Sequence, residues 1–183
     1  MKKMQKIIVT VLSLFLIVGC ACSMNKAKDA VEDYLDNYKN LDENVTTQLD
    51  ELVAKEDLTD SEKETYKEVL RRQYKDMKYE ITDEVYDGDK ATVTAKITVY
   101  DYYKVQQEVA NYLKDNRDKF YKDGTYDETA YIDYKLDTMK KYDKTVTYSI
   151  EFKVKKENNK WQVEDLSDTD VEKIHGIYDY SND

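Results

Sequence analysis

The chain reads as an α+β domain, with helices packed on an antiparallel sheet built from two hairpins. Three observations predict it. The spacing of apolar residues switches twice from the 3.6-residue period of a helix to the two-residue period of a strand. Each alternating region is broken by a turn, Asp87-Gly88-Asp89 in the first and Glu157-Asn158-Asn159-Lys160 in the second. The helical stretches are gathered before and between the hairpins, an α+β arrangement rather than a βαβ alternation.

In chain order, Ala27, Ala30, Val31, Tyr34, Leu35, Tyr38 and Leu41 form one apolar stripe, with Asn25 as the expected N-cap. A second helix is expected from Glu43 to Lys55 through Val45, Leu49, Leu52 and Val53. Thr59-Asp60-Ser61-Glu62 reads as a capping box opening a third, with Tyr66, Val69, Leu70, Tyr74 and Met77 inward. The first hairpin alternates through Tyr79, Ile81 and Val85, then through Ala91, Val93, Ala95, Ile97 and Val99, with threonines and a lysine between the latter. Alternation of that kind suits a sheet covered on one face.

Helical spacing returns from Tyr103 to Phe120. After a loop holding Asp123-Gly124 it returns again from Asp127 to Tyr142, with Tyr131, Ile132, Leu136 and Met139 inward. Val146, Tyr148, Ile150, Phe152 and Val154 make the third strand, and Trp161 and Val163 face inward on the fourth. Thr169 with Glu172 is expected to cap a closing helix carrying Val171, Ile174 and Tyr178.

Composition limits the function classes. A chain of 183 residues is one domain of ordinary size. No proline and four glycines exclude collagen-like and linker-like chains and leave little material for glycine-rich phosphate loops. One histidine and two cysteines exclude an ordinary Cys/His zinc site and a disulfide framework, and no cofactor or metal is expected. Twenty-nine basic against 39 acidic residues give a formal charge of −10, which argues against nucleic acid as a partner.

The N-terminus carries the address. Lys2, Lys3 and Lys6 precede an apolar run, Ile7 to Val18, interrupted only by Thr10 and Ser13 and followed by Gly19-Cys20. A basic segment, a short apolar segment and a small residue at the cut fit a secretory signal. The run is shorter than the roughly 20 residues of a spanning helix. Ile17-Val18-Gly19-Cys20 resembles the bacterial lipobox. The resemblance implies cleavage before Cys20, a diacylglycerol thioether on Cys20, and a lipoprotein anchored on the extracytoplasmic face of the cell membrane. Residues 1–19 are then the signal peptide, 20–25 the lipidated cysteine and a short tether, and 26–180 a single domain.

Losing residues 1–19 removes three lysines and leaves a mature charge of −13. Such a domain is expected to be repelled by anionic headgroups, so the acyl chains, not a basic patch, are expected to anchor it. Ala21 to Asn25 extend less than about 20 Å at ~3.5 Å per residue, which holds the domain near the bilayer. Cys22 is left as the one free thiol. The residue usage suits a low-G+C monoderm bacterium.

A second resemblance rests on the helical opening, the two hairpins and the ending Lys160-Trp161-Gln162-Val163-Glu164-Asp165-Leu166. These resemble small bacterial lipoprotein domains of the nuclear-transport-factor-like, or cystatin-like, fold. The resemblance implies a sheet curled around a long helix into a cone. The helical pair between the hairpins reads as an insertion in that fold. No functional residue is carried over from it.

Tyrosine is the compositional oddity, 18 against three phenylalanines and one tryptophan. Tyr100, Tyr102 and Tyr103 gather at a strand end, and Tyr121, Tyr126, Tyr131 and Tyr134 around one loop. An AT-rich codon bias and a tyrosine-lined binding surface both account for them. Asp87 and Asp89 read as a turn, and Asp165, Asp168 and Asp170 as helix-start acids. His175, before Gly176, reads as a cation suiting a helix C-terminus.

No nucleophile elbow, P-loop or dinucleotide fingerprint is present in the sequence. The reading is therefore a non-enzymatic lipoprotein, anchored to the membrane through Cys20, that binds an envelope protein, a cationic peptide or a small ligand. The alternatives are an enzyme with a cone-shaped pocket, isomerase- or hydratase-like, and an immunity-type lipoprotein that intercepts cationic peptides. The sequence leaves the oligomeric state open.

Overall fold

The computed structural model describes residues 26–181. The signal-like segment, the lipidation candidate Cys20, the tether with Cys22 and the cap candidate Asn25 lie outside the described residues.

Three helices open the domain: α1 (Ala27–Asn40), α2 (Glu43–Ala54) and α3 (Asp60–Asp76). The expected capping box holds. The Glu62 N–H donates to Thr59 Oγ1 at 3.3 Å and the Thr59 N–H to Glu62 Oε2 at 2.6 Å. Two long strands follow, β1 (Lys78–Asp87) and β2 (Lys90–Tyr100), then α4 (Tyr102–Asp115). A short hairpin, β3 (Tyr121–Lys122) with β4 (Thr125–Tyr126), leads into α5 (Glu128–Lys141). The second long hairpin, β5 (Thr145–Glu157) with β6 (Lys160–Val163), and α6 (Asp168–His175) complete the domain.

The architecture is α+β, as expected. The four long strands form one sheet in the order β1-β2-β5-β6, each pair antiparallel. The two hairpins meet along β2 and β5, in register from Lys90 opposite Lys155 to Tyr100 opposite Thr145. Ala91, Val93, Ala95, Ile97 and Val99 are all buried, as are Tyr148, Ile150, Phe152 and Val154 on β5. The stripe of α1 covers that face, so the sheet's apolar side is filled by helix side chains. At the end carrying the turns of the two long hairpins the sheet curls far enough for β1 and β6, its opposite edges, to touch through Tyr86 and Trp161.

A second core joins one side of α3 to α4 and α5 through Val69, Tyr102, Val105, Val109, Ile132 and Met139. The helical pair between the hairpins thus has its own apolar interior and shares α3 with the main core.

Four local expectations are corrected. Val85 does not face the core; it is 57% exposed. The register shifts between Ile81 and Asp83, so a bulge at Thr82 puts Glu84 and Tyr86 on the helix-bearing face of the sheet, where Tyr86 stays half exposed at the edge, and turns Val85 to the other face. The bulge has a use at the start of α1. The Ala27 N–H donates to Tyr86 Oη at 3.1 Å and the Lys28 N–H to Glu84 Oε1 at 2.8 Å. Two first-turn donors that have no partner within the helix are thereby satisfied, and a carboxylate sits at the positive end of its dipole.

The helix expected up to Phe120 stops at Asp115, because Asn116 turns back and donates its side-chain amide to the Tyr112 carbonyl at 3.0 Å. Asp123-Gly124 is the turn of a true hairpin, with φ of 51° and 79° at the two positions. The cap of α6 is Ser167, which accepts from the Asp170 N–H at 3.2 Å; Thr169 lies inside the helix. Gly176 ends that helix at φ 70°, and an added Cβ would stand 2.1 Å from the Tyr100 carbonyl oxygen, so glycine is needed there.

Candidate functional site

The tyrosines of the α4–α5 unit form the most extended aromatic surface among the described residues. The Asp123-Gly124 turn brings Tyr121 and Tyr126 side by side on β3 and β4, with ring centroids 5.4 Å apart. Tyr126 continues to Tyr131 on α5, and Phe120, which is buried, packs edge-on against both Tyr131 and Tyr134. Tyr134 stacks on Tyr112 of α4, with centroids 4.7 Å apart and planes 14° from parallel. The expected cluster of Tyr121, Tyr126, Tyr131 and Tyr134 is therefore one contiguous, half-buried surface. Burial, with the neighbouring Tyr131 and Glu128, pushes the Tyr126 phenol up to about 12, so it stays protonated and able to donate at neutral pH.

Cations edge this surface. The Arg117 guanidinium lies 4.6 Å from the Tyr121 ring centroid, and Lys119 sits over the Tyr112 ring while bonding its hydroxyl. Toward the C-terminal end of α5 the surface opens into a groove of about 420 Å³ lined by Tyr134, Asp137, Thr138, Lys141, Tyr142 and Lys144. That volume is in the range of ligand sites. Tyr134 and the largely buried Tyr142 are its two aromatic walls, and the rest of its lining is polar and carries both charge signs. Lys141 pairs loosely with Asp137 at 3.9 Å and Lys144 with Glu108 at 3.9 Å. These are exposed pairs that a binding partner can exchange at small cost.

Tyr100, Tyr102 and Tyr103 do not make such a surface. Tyr102 is fully buried in the second core. Tyr100 holds Arg72 over its ring at 3.8 Å and donates to Asp76 at 2.8 Å, while Tyr103 packs edge-on against Tyr180. All three are structural contacts.

His175 also departs from expectation. It ends α6 but is buried, and it shares a 2.9 Å hydrogen bond with the Tyr74 hydroxyl. Burial pushes its pKa down to about 4, so at neutral pH it is an uncharged partner of Tyr74 and no cation at the helix end. Asp87 and Asp89 lie at the β1–β2 turn, and Asp168 and Asp170 lie in the first turn of α6. Among the described residues no group of three or more acids, cysteines or histidines stands close enough to hold a metal ion. None of the described helices is long and apolar enough to cross a membrane.

Sequence reasoning missed Lys135. It is 9% exposed on α5, beside a cavity of about 20 Å³ that is otherwise lined by Leu58, Tyr66, Gln106, Ile132, Met139 and their neighbours. Burial pulls its amine down to about 8, against the opposing charge of Glu56. The signal was present: Ile132, Lys135, Leu136 and Met139 fall at helical spacing, so the lysine occupies the inward stripe. The cavity has room for about one water, so Lys135 is a lysine of the core, with no space beside it for a substrate.

No family model matches the sequence, and no curated protein matches it. Among solved structures the fold is similar to that of a putative lipoprotein, ycdA, from Bacillus subtilis subsp. subtilis str. 168, with a TM-score of 0.50 and 15% sequence identity. The match covers 85% of this chain and 56% of that one, so the chain spans little more than half the length of its structural neighbour. At that identity the likeness is one of fold.

Proposed function

We propose that the protein is a lipoprotein, anchored through Cys20 to the extracytoplasmic face of a bacterial membrane, whose domain binds a segment of another envelope protein without catalysis. The tyrosine surface and groove of α4–α5 carry the binding half of this reading. They are built on a helical unit with its own interior, outside the main sheet core. Tyrosines stack on a partner while offering hydroxyls, and they lose little conformational freedom in doing so.

The lipobox residues Ile17-Val18-Gly19-Cys20 and a fold shared with a putative lipoprotein support the anchoring half. The mature charge of −13 favours a basic, amphipathic segment as the partner. A cone-shaped enzyme pocket has less support, because α1 fills the apolar face of the sheet that would line it.

The test is retention of envelope proteins from detergent extracts on the full mature chain, beside a Tyr134→Ser/Tyr142→Ser variant, at low and high salt. Proteins held by the parent at both salts and lost from the variant are the expected result. An identical set on both baits would refute the groove as the binding surface.

A further inference from the structure

The charge of this acidic domain is unevenly placed. At the end of the sheet where the β1–β2 and β5–β6 turns meet, the N-terminus of α1 also emerges, held by Tyr86 and Glu84. The two turns are neighbours, since the Lys156 N–H donates to the Asp89 carbonyl at 2.8 Å. Lys26, Lys28, Lys90, Lys156 and Lys160 all lie at this pole, and none forms an ion pair among the described residues. Glu157 pairs with Lys155 at 2.7 Å, and Asp29 and Glu84 accept from backbone N–H groups at the helix start, so with Asp87 and Asp89 four acids face the five lysines and the pole carries a slight basic excess in an otherwise acidic domain. The outward-turned Val85 and the ring of Tyr86, 48% exposed, are the two large exposed apolar groups of the described domain, and both are here.

We propose that this pole is a membrane-docking face that rests on anionic phospholipid headgroups and holds the domain upright. The inference rests on the lipoprotein reading above. The occupant follows from where the chain leads. Only five residues, Ala21 to Asn25, separate Cys20 from the pole, so an anchored Cys20 keeps the headgroups within about 20 Å of it. Lysines outside any ion pair can turn to an anionic surface, and a valine with an amphipathic tyrosine suits the interface between headgroups and acyl chains. The repulsion expected of a −13 domain is weakened in this orientation, because charges farther than a Debye length of about 8 Å from the surface are screened. The groove at Tyr142 and Lys144 adjoins the other end of β5, whose 13 residues span about 40 Å at ~3.3 Å per residue. Docking therefore presents the groove away from the bilayer.

The test uses the full mature chain, acylated at Cys20 and carrying Cys22→Ser, in vesicles of phosphatidylcholine with phosphatidylglycerol and a nitroxide-headgroup lipid. A fluorophore is placed on Val85→Cys at the pole or on Thr145→Cys at the opposite end. Quenching at Val85→Cys is expected to exceed that at Thr145→Cys at least threefold. The ratio should fall toward one in 1 M salt, in pure phosphatidylcholine, and in a Lys90→Glu/Lys160→Glu variant whose Trp161 emission shows an intact fold. A ratio near one on anionic vesicles, or one unmoved by salt and charge reversal, overturns the docking face while leaving a vesicle-bound lipoprotein. A chain that acquires no acyl group at Cys20 overturns both readings.

Discussion

Tyr86 and Trp161 sit on opposite edges of a four-stranded sheet, yet their rings meet edge to face with centroids 5.4 Å apart. In a flat sheet the backbones of those strands would lie about 14 Å apart, three strand spacings. The contact exists because the sheet curls around the start of α1, and because the bulge at Thr82 gives Tyr86 the inward parity. Lys156 lies over the Trp161 ring at 5.7 Å and covers it from the turn side.

Trp161 is thus a core residue, 5% exposed, as its parity with Val163 predicts. Trp161→Ala should destabilise the domain by about 3–5 kcal/mol in chemical denaturation, a large part of a total near 5–15 kcal/mol. Glu84→Ala, which removes the acceptor of the Lys28 N–H and of the Tyr86 hydroxyl but leaves no cavity in the core, should cost about 1 kcal/mol. A Trp161→Ala variant that melts within a degree or so of the parent would contradict this packing.

The contrast between those two sites shows what the sequence made legible. Strict alternation over Ala91–Val99 and Val146–Val154 specifies both the strands and their buried face, because these two segments pair with one another in unbroken register along the β2–β5 seam and bury one face in the main core. The edge strand β1 lacks that constraint, and one extra residue at Thr82 reverses its faces without any change in composition. The tyrosine cluster around Asp123-Gly124 was legible as a group of residues. Its stacking on Tyr112 was not, since that depends on α4 and α5 packing antiparallel. Ser167 and Thr169 are both acceptable caps by type, with serine the better of the two, and the structure uses Ser167.

The buried pair of His175 and Tyr74 makes a pH prediction. The folded-state pKa of about 4 lies below the ordinary 6.5, so the unfolded chain binds more protons between those values. Stability from this group is complete above about pH 6.5 and is lost as the pH falls toward 4, by about 3 kcal/mol in all. His175→Gln should remove that part of the acid sensitivity. Denaturation curves at pH 7 and pH 4.5 for the parent and the variant measure it, and equal acid losses in the two would contradict the assignment.

Lys135 makes the corresponding prediction on the alkaline side. Its amine is held near 8 when folded against an ordinary 10.5, so stability should rise as pH increases through that window and be lowest below it. Lys135→Met fits the same apolar stripe, and it should stabilise the protein by about 1–3 kcal/mol at pH 7. The variant should also flatten the dependence between pH 8 and 10.5. A destabilised Lys135→Met protein would mean that the amine has a partner which holds it in place.

The proposed membrane attachment depends on Cys20, and metabolic labelling with a fatty-acid probe tests it directly. Cells producing the parent chain should yield a labelled, membrane-bound protein that begins at Cys20 and lacks residues 1–19. Cys20→Ser should carry no label and should either appear in the medium or persist as the uncleaved precursor. Label retained by the Cys20→Ser protein would contradict the lipobox reading, and with it the membrane-anchored function.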